Sequence, residues 1–140
     1  SLAIETASPQ GRITLGRDDA ILDTALLPIQ RRHNIELMPT VDALFQRHHL
    51  SRRDLDEVYV SLGPGSFTGL RIALATVKML AMALGVKVVG VPSIEVVAYN
   101  APNEAKHIAV GLNFKRGTMH SQVFARQNDD SLSRAELSNS

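Results

Sequence analysis

The stretch SLGPGSFTGLR, residues Ser61–Arg71, decides how the fold is interpreted, because three glycines and a proline separate two apolar runs. It follows a predicted strand, VYVSL, and precedes a predicted helix, which is where phosphate-binding loops lie. Its spacing differs from the Walker A pattern, from the dinucleotide-binding pattern G-x-G-x-x-G and from the nucleophile elbow G-x-S-x-G. The residues therefore favour a tight turn, and an anion site at the helix N-terminus is the alternative.

The tight turn assigns a role to each small residue of the loop. Gly63 and Gly65 are expected to adopt positive φ angles, and Ser66 or Thr68 is expected to cap the helix. Gly69 is expected to let the helix approach the sheet. Glu5 ends the first predicted strand, in a position where sugar kinases and related ATPases hold a metal–nucleotide carboxylate, but an ordinary strand-end acid is the favoured interpretation. The residues of the alternative site would be Glu5, Thr6, Gly63, Gly65, Ser66, Thr68 and Gly69.

A helix is predicted after the loop over Thr68–Leu84, with Gly85 as its C-cap. It lacks the broad polar face of a helix that covers a sheet in a lone domain, because only Arg71, Thr76 and Lys78 are polar between Leu70 and Leu84. Either the first helix of the same chain covers the exposed side, or a partner subunit does. The apolar run is about 15 residues long, which is short for a membrane span, so no membrane contact is expected.

Strand and helix patterns extend on both sides of this region. Upstream, LAIET, RITLGR and AILDTALLP predict three strands, followed by a helix over Leu37–His48 with Asn34 as N-cap and Pro39 in its first turn. Downstream, KVVGVP, SIEVVAYNA, HIAVGLN and HSQVFAR predict strand, helix, strand and strand. The order βββαβαβαββ indicates an α/β fold with a mixed sheet. The polar segment from Gln127 to Ser140 is expected to be a tail or a linker.

Composition limits the function classes. The 140 residues carry a formal net charge of +1, which gives no reason to expect tight nucleic-acid binding by this chain alone. No cysteine is present, so disulfides and thiolate metal sites are excluded. No stretch resembles a signal peptide, and a cytoplasmic location is expected. The histidines lack metal-binding spacing and are interpreted as solvated polar residues: His33, His48, His49, His107 and His120.

Three segments resemble the TsaB (YeaZ) family: LAIETAS, ELMPTVDALFQRHHL and VYVSLGPGSFTGLRIALATVKMLAMALGVKVVGVPSIEVVA. The resemblance covers about Leu2–Ala98 and continues more weakly to Arg126. It implies a ribonuclease-H-like lobe of the actin/Hsp70/sugar-kinase (ASKHA) superfamily over residues 1–103, with sheet order βββαβαβ. Residues 104–140 would then be the start of a truncated second lobe and a polar tail. Because family members are longer, the chain is expected to be a fragment or a short form.

The resemblance also implies a function. Members of this family support threonylcarbamoyladenosine modification of tRNA, as non-catalytic partners and inactive relatives of the threonylcarbamoyltransferase TsaD. The implied partners are a TsaD-type protein and a TsaE-type ATPase, with homodimers when the chain is isolated and only indirect contact with tRNA. No catalytic residue, metal or cofactor is implied, and ATP would bind only within the complex with TsaD and TsaE.

The partner contact implied by the resemblance uses the first two helices of the N-terminal lobe. These correspond to Leu37–His48 and Gly69–Leu84, which offers a reason for the missing polar face. The residues expected at this contact are Leu37, Val41, Leu44, Arg71, Leu74, Ala75, Lys78, Met79 and Met82.

Two positions depart from the family pattern. Glu5 stands where members usually carry aspartate, and the run Asn113–Gly117 lacks the acid of D-A-R-[RK]-G. Both departures weaken a nucleotide or metal role for these turns. Two other functions remain open as alternatives. An ATP-binding phosphotransferase of the ASKHA superfamily would need Glu5, Thr6 and the glycine loop to hold Mg–nucleotide. A glycoprotease-like peptidase is less favoured, because the H-x-x-x-H pair that binds metal in TsaD is absent.

Overall fold

A computed structural model describes residues 1–27, 33–113 and 118–135, and within these it describes only the backbone of His33 and Asn34. The chain forms two compact units, Ser1–Val91 and Pro92–Ser140. The predicted N-cap side chain of Asn34 and the run Phe114–Gly117 lie outside the described part.

The first unit is built on a five-stranded mixed sheet. Its strands in chain order are β1 (Leu2–Glu5), β2 (Arg12–Arg17), β3 (Ala20–Leu26), β4 (Glu57–Ser61) and β5 (Lys87–Val91). They lie in the spatial order β3-β2-β1-β4-β5. The first three pair antiparallel, whereas β4 runs parallel to β1 and β5 runs parallel to β4. The predicted α/β fold with a mixed sheet is confirmed.

Two helices pack on this sheet, α1 (His33–Arg47) and α2 (Phe67–Leu84), and a 3₁₀ turn over Arg52–Asp54 follows α1. The core forms because alternate strand positions point to one face of the sheet and meet the apolar stripes of both helices. Its members include Leu2, Ile4, Ile13, Leu15, Val58 and Val60 from the strands, Leu37, Val41, Leu44 and Phe45 from α1, and Ala73, Val77 and Leu80 from α2.

The helix ends differ in part from the predictions. α1 begins four residues before Leu37, so Pro39 is not in its first turn but is the seventh helical residue. Proline lacks the N–H that the carbonyl of Ile35 would accept, and the helix tolerates this because Ile35 and Pro39 lie on its exposed side. The predicted end of α2 is confirmed, because Gly85 adopts φ +70° and its N–H bonds to the carbonyl of Ala81.

The second unit contains α3 (Ser93–Ala98) and an antiparallel sheet of β6 (His107–Asn113), β7 (Met119–Arg126) and β8 (Leu132–Ala135). The boundary expected after residue 103 differs from the observed division, because Ile94 and Ala98 of α3 share a core with Phe124. The interpretation of residues 127–140 as a tail or linker is wrong for β8, because Leu132 packs against that core.

The carboxylate of Asp23 links β3 to the end of α1. Its Oδ2 lies 3.1 Å from Nε2 of His48 and 3.0 Å from Nη1 of Arg47. The interpretation of every histidine as a solvated residue is therefore wrong for His48. The hydrogen bond with His48 is the main cause that lowers the pKa of Asp23 below its ordinary value of 3.8.

We expect Asp23→Asn to lower the urea midpoint at pH 6 and to lose this effect in acid. A carboxyl whose pKa is lowered by folding stabilises the native state above its unfolded pKa, and that contribution is lost as pH falls through the lowered pKa. The midpoints of the parent and the variant should therefore converge as the pH is taken below 3.8. A difference between them that stays the same over this range would contradict the assignment.

Candidate functional site

The glycine loop between β4 and α2 is packed against the turn that follows β1. The N–H of Ser66 donates to the carbonyl of Ala7 at 2.7 Å. The hydroxyl of Thr6, which is fully buried, donates to the carbonyl of Gly69 at 2.8 Å. The loop and the turn are therefore joined by hydrogen bonds from both sides, and the backbone of α2 begins in direct contact with the end of β1.

Each of the three glycines of the loop is required for a different physical reason. Gly63 adopts φ +86°, as predicted. Gly65 does not have a positive φ, so that prediction is wrong; a Cβ there would lie 2.6 Å from the Cβ and the carbonyl oxygen of Ala7. A Cβ at Gly69 would lie 1.8 Å from the carbonyl oxygen of Thr6, which confirms that this glycine permits the helix to approach the sheet.

The cap of α2 is Ser66. Its Oγ accepts the N–H of Gly69 at 3.2 Å, which satisfies one of the N–H groups that lack a partner within the first turn. Thr68, the other predicted cap, is the second residue of the helix and is exposed. One of the N–H groups that an anion would contact is therefore already bonded to the serine side chain.

The carboxylate of Glu5 closes the turn after β1. Its Oε1 accepts the N–H of Ala7 at 2.5 Å and the N–H of Ser8 at 3.0 Å, and its Oε2 accepts the hydroxyl of Ser8 at 2.6 Å. A metal ion or a nucleotide that used this carboxylate would have to displace at least part of this network. The carboxylate of Glu5 thus has its own hydrogen-bond donors within the turn. It lies close to Thr6 but is directed into the turn.

The structure brings together most residues of the predicted anion site. Thr6, Gly65, Ser66 and Gly69 meet at the junction of β1 and α2, whereas Thr68 is exposed. Across residues 1–27, 33–113 and 118–135, no three His, Asp or Glu side chains lie close enough together to hold a metal ion. The arrangement is that of a close-packed turn that positions the start of α2.

The exposed side of α2 carries the remaining candidates. We call it the outer face of α2 and define it as Phe67, Arg71, Leu74, Ala75, Lys78, Met79 and Met82, all of which are exposed. Leu74, Met79 and Met82 keep 42, 60 and 82 % of their surfaces exposed. These residues recur every three or four positions, so they form one continuous stripe along the helix. The stripe is apolar apart from two cations.

Three predicted contact residues of α1 are not on the surface. Leu37, Val41 and Leu44 are 1, 2 and 0 % exposed and belong to the core of the first unit. Their stripe faces the sheet, so they cannot contact another protein without unfolding. The assignment of these three residues to a partner surface is therefore wrong.

Phe67 is a surface residue that the sequence interpretation missed. The guanidinium carbon of Arg71 lies 5.5 Å from the centroid of its ring. This distance is typical of a cation–π contact. The spacing of four residues between the phenylalanine and the arginine is the sequence signal that could have revealed the contact.

The length of α2 is relevant to the expectation that the chain makes no membrane contact. The helix has 18 residues with a mean hydropathy of 1.5, so by length and composition alone it is apolar enough to cross a membrane. It is longer than the apolar run considered from sequence, because it begins at Phe67. In the structure 28 % of the helix is buried, and the buried residues form one stripe against the core of the first unit: Gly69, Ala73, Thr76, Val77 and Leu80.

Comparison with known proteins places these features in a family. The sequence profile of the family described as TsaD, tRNA N6-adenosine threonylcarbamoyltransferase, matches residues 28–125. The tRNA threonylcarbamoyladenosine biosynthesis protein TsaB of Bacillus subtilis (strain 168) is 29 % identical over 127 residues, which cover 91 % of this chain and 56 % of that protein. TsaB of Escherichia coli (strain K12) is 27 % identical over 128 residues, which cover 89 % and 54 %.

Structural comparison agrees with the sequence matches. The structure of YeaZ from Pseudomonas aeruginosa matches with a TM-score of 0.84 at 26 % identity, covering 97 % of this chain and 64 % of YeaZ. The chain thus spans between 54 and 64 % of the length of these three relatives. The matched regions include the glycine loop and α2. The chain therefore belongs to the TsaD family, and it is similar over most of its length to TsaB (YeaZ) proteins.

Proposed function

We propose that this chain is a non-catalytic subunit in threonylcarbamoyladenosine modification of tRNA, and that it binds a TsaD-type threonylcarbamoyltransferase through the outer face of α2. The observation that carries the proposal is the exposure of Leu74, Met79 and Met82 on one stripe of a helix whose other side is in the core. Apolar surface gains about 25 cal/mol for each Å² removed from water, so such a stripe favours association.

The shape of the stripe supports a helical partner. Ala75 lies at its centre and Ala83 lies beside its end, and such small side chains let a second helix approach closely. Met79 and Met82 have flexible, polarisable side chains that adapt to the surface they meet. Ridges of a partner helix could therefore pack between these residues without rearrangement of the core.

A non-catalytic role is supported by the geometry of the glycine loop. The carboxylate of Glu5 accepts three hydrogen bonds from its own turn, and the hydroxyl of Thr6 is engaged with Gly69. A phosphotransferase would need these groups for Mg–nucleotide. The same proposal includes a TsaE-type ATPase as a further partner and a cytoplasmic location. It also includes only indirect contact with tRNA, and ATP binding only in the assembled complex. A homodimer of the isolated chain would use the same stripe as a weaker contact.

The proposal is tested by measuring the affinity of this chain for a TsaD-type protein from the same source. Met79→Glu is expected to weaken binding more than tenfold, because a charge would be desolvated within an apolar contact. Ile21→Glu is the matched control, because Ile21 is 74 % exposed on β3 and lies outside the stripe. Both variants should unfold at the temperature of the parent.

Equal binding by Met79→Glu and the parent would contradict the proposed surface. Loss of binding by Ile21→Glu as well would show that the contact lies elsewhere or that it depends on overall charge. A large drop in the unfolding temperature of Met79→Glu alone would show that the stripe is covered within the chain, against its observed exposure.

A further inference from the structure

The outer face of α2 has charges of one sign. None of the 18 residues of α2 is aspartate or glutamate, and its two charged residues, Arg71 and Lys78, are both exposed. Within the part of the chain that the structure describes, neither of them forms a salt bridge. The guanidinium of Arg71 instead lies over the ring of Phe67. Among the described residues, the stripe therefore presents two cations without carboxylate partners.

The two cations frame the apolar centre of the stripe. They are seven residues apart, which is two helical turns and about 10.5 Å along the axis. Leu74 and Ala75 lie midway between them. Any helix that packs on this centre must therefore meet a positive charge near each end of the contact. Because charges that lose water are costly unless they are paired, these positions select the partner by its charge.

A second copy of this chain is poorly matched to this pattern. A two-fold contact centred on Leu74 and Ala75 with antiparallel helices would place Arg71 against Lys78 of the second copy, and parallel helices would place like residues together. Asp42 of α1 is already engaged, because its carboxylate accepts hydrogen bonds from Nε and Nη2 of Arg52. A self-contact on this stripe therefore brings cations against cations.

We infer that the outer face of α2 is built for a different chain, whose contacting helix places carboxylates about two turns apart, opposite Arg71 and Lys78. Apolar side chains between these carboxylates would meet Leu74, Met79 and Met82. The inference rests on the proposed function, because the occupant is the same partner. It adds what recognises that partner: the apolar stripe supplies affinity, and the two cations favour an acidic partner helix over a second copy.

The charge pattern predicts opposite salt dependence for the two kinds of contact. The affinity for the TsaD-type protein should fall as NaCl is raised, because opposite charges are screened. Self-association of the isolated chain, measured by sedimentation, should rise or stay constant, because repulsion is screened. Arg71→Glu and Lys78→Glu should each weaken binding to the TsaD-type protein about tenfold at low salt. Arg12→Glu, an exposed arginine on β2, is the matched control.

A mixing experiment tests the charge pattern without the TsaD-type protein. The double variant R71E/K78E carries carboxylates seven residues apart on the same apolar stripe, so it imitates the inferred partner. At low salt the parent should pair with this variant about tenfold more tightly than with itself. Equal affinity of the mixed pair and the parental pair would count against the inference.

The outcomes separate the inference from the proposed function. If NaCl and both single charge reversals leave the affinity for the TsaD-type protein unchanged, the inference alone is overturned. No binding by the parent at any NaCl concentration would overturn the proposed function and, with it, the identity of the occupant. Equal weakening by Arg12→Glu and Arg71→Glu would show that only net charge matters, which would also overturn the inference.

Discussion

Replacing Gly69 with alanine is expected to lower the free energy of unfolding by about 3 kcal/mol or more, which is at the high end for an overpacking change. The new Cβ would lie 1.8 Å from the carbonyl oxygen of Thr6. That oxygen belongs to the backbone and cannot rotate away, so the start of α2 would have to move from the end of β1. The movement would also break the 2.8 Å hydrogen bond from the hydroxyl of Thr6.

Gly85→Ala is the matched control for this prediction. A Cβ at Gly85 would meet no atom within 4 Å, so only the positive φ of +70° opposes the substitution. That strain should cost about 1 kcal/mol. Urea unfolding followed by circular dichroism measures both variants. Equal losses would show that backbone conformation, and not the contact with Thr6, determines the need for glycine after the loop.

The local features of this region could be predicted from the sequence, because they depend on neighbouring residues. Alternation of apolar residues indicated the strands, and a serine or threonine before the apolar run and the glycine after it indicated the ends of α2. The reason for Gly65 could not be predicted in the same way. It depends on Ala7, which lies 58 residues earlier and reaches Gly65 only when β1 and β4 pair.

The partner surface shows a second limit of sequence patterns. Leu44 and Leu74 both lie on apolar stripes, and an apolar stripe is typical of a core as well as of an interface. Only the placement of the sheet shows that the stripe of α1 is covered and that of α2 is open. β8 was missed for a related reason, because a four-residue strand with a single leucine has too little periodicity to be recognised.

Leu44→Ala is expected to lower the free energy of unfolding by about 3 kcal/mol, whereas Leu74→Ala should lower it by less than about 1 kcal/mol. Both substitutions remove the same atoms from a helix, so their intrinsic effects on helix formation are equal. Leu44 is 0 % exposed in the core of the first unit, so its truncation leaves a cavity. Leu74 is 42 % exposed, so its truncation leaves a notch that water fills. Urea unfolding of the two variants under the same conditions measures the difference.

The same pair of variants should show the reverse order in binding. Leu74→Ala removes apolar area from the proposed contact and should weaken the affinity for a TsaD-type protein several-fold, at about 25 cal/mol for each Å² lost. Leu44→Ala, measured where it is still folded, should bind as the parent does, because its side chain lies beneath the surface. If Leu44→Ala impaired binding as much as Leu74→Ala, the contact would have to include α1 as well. The core position of Leu44 would then matter for recognition through the placement of α1.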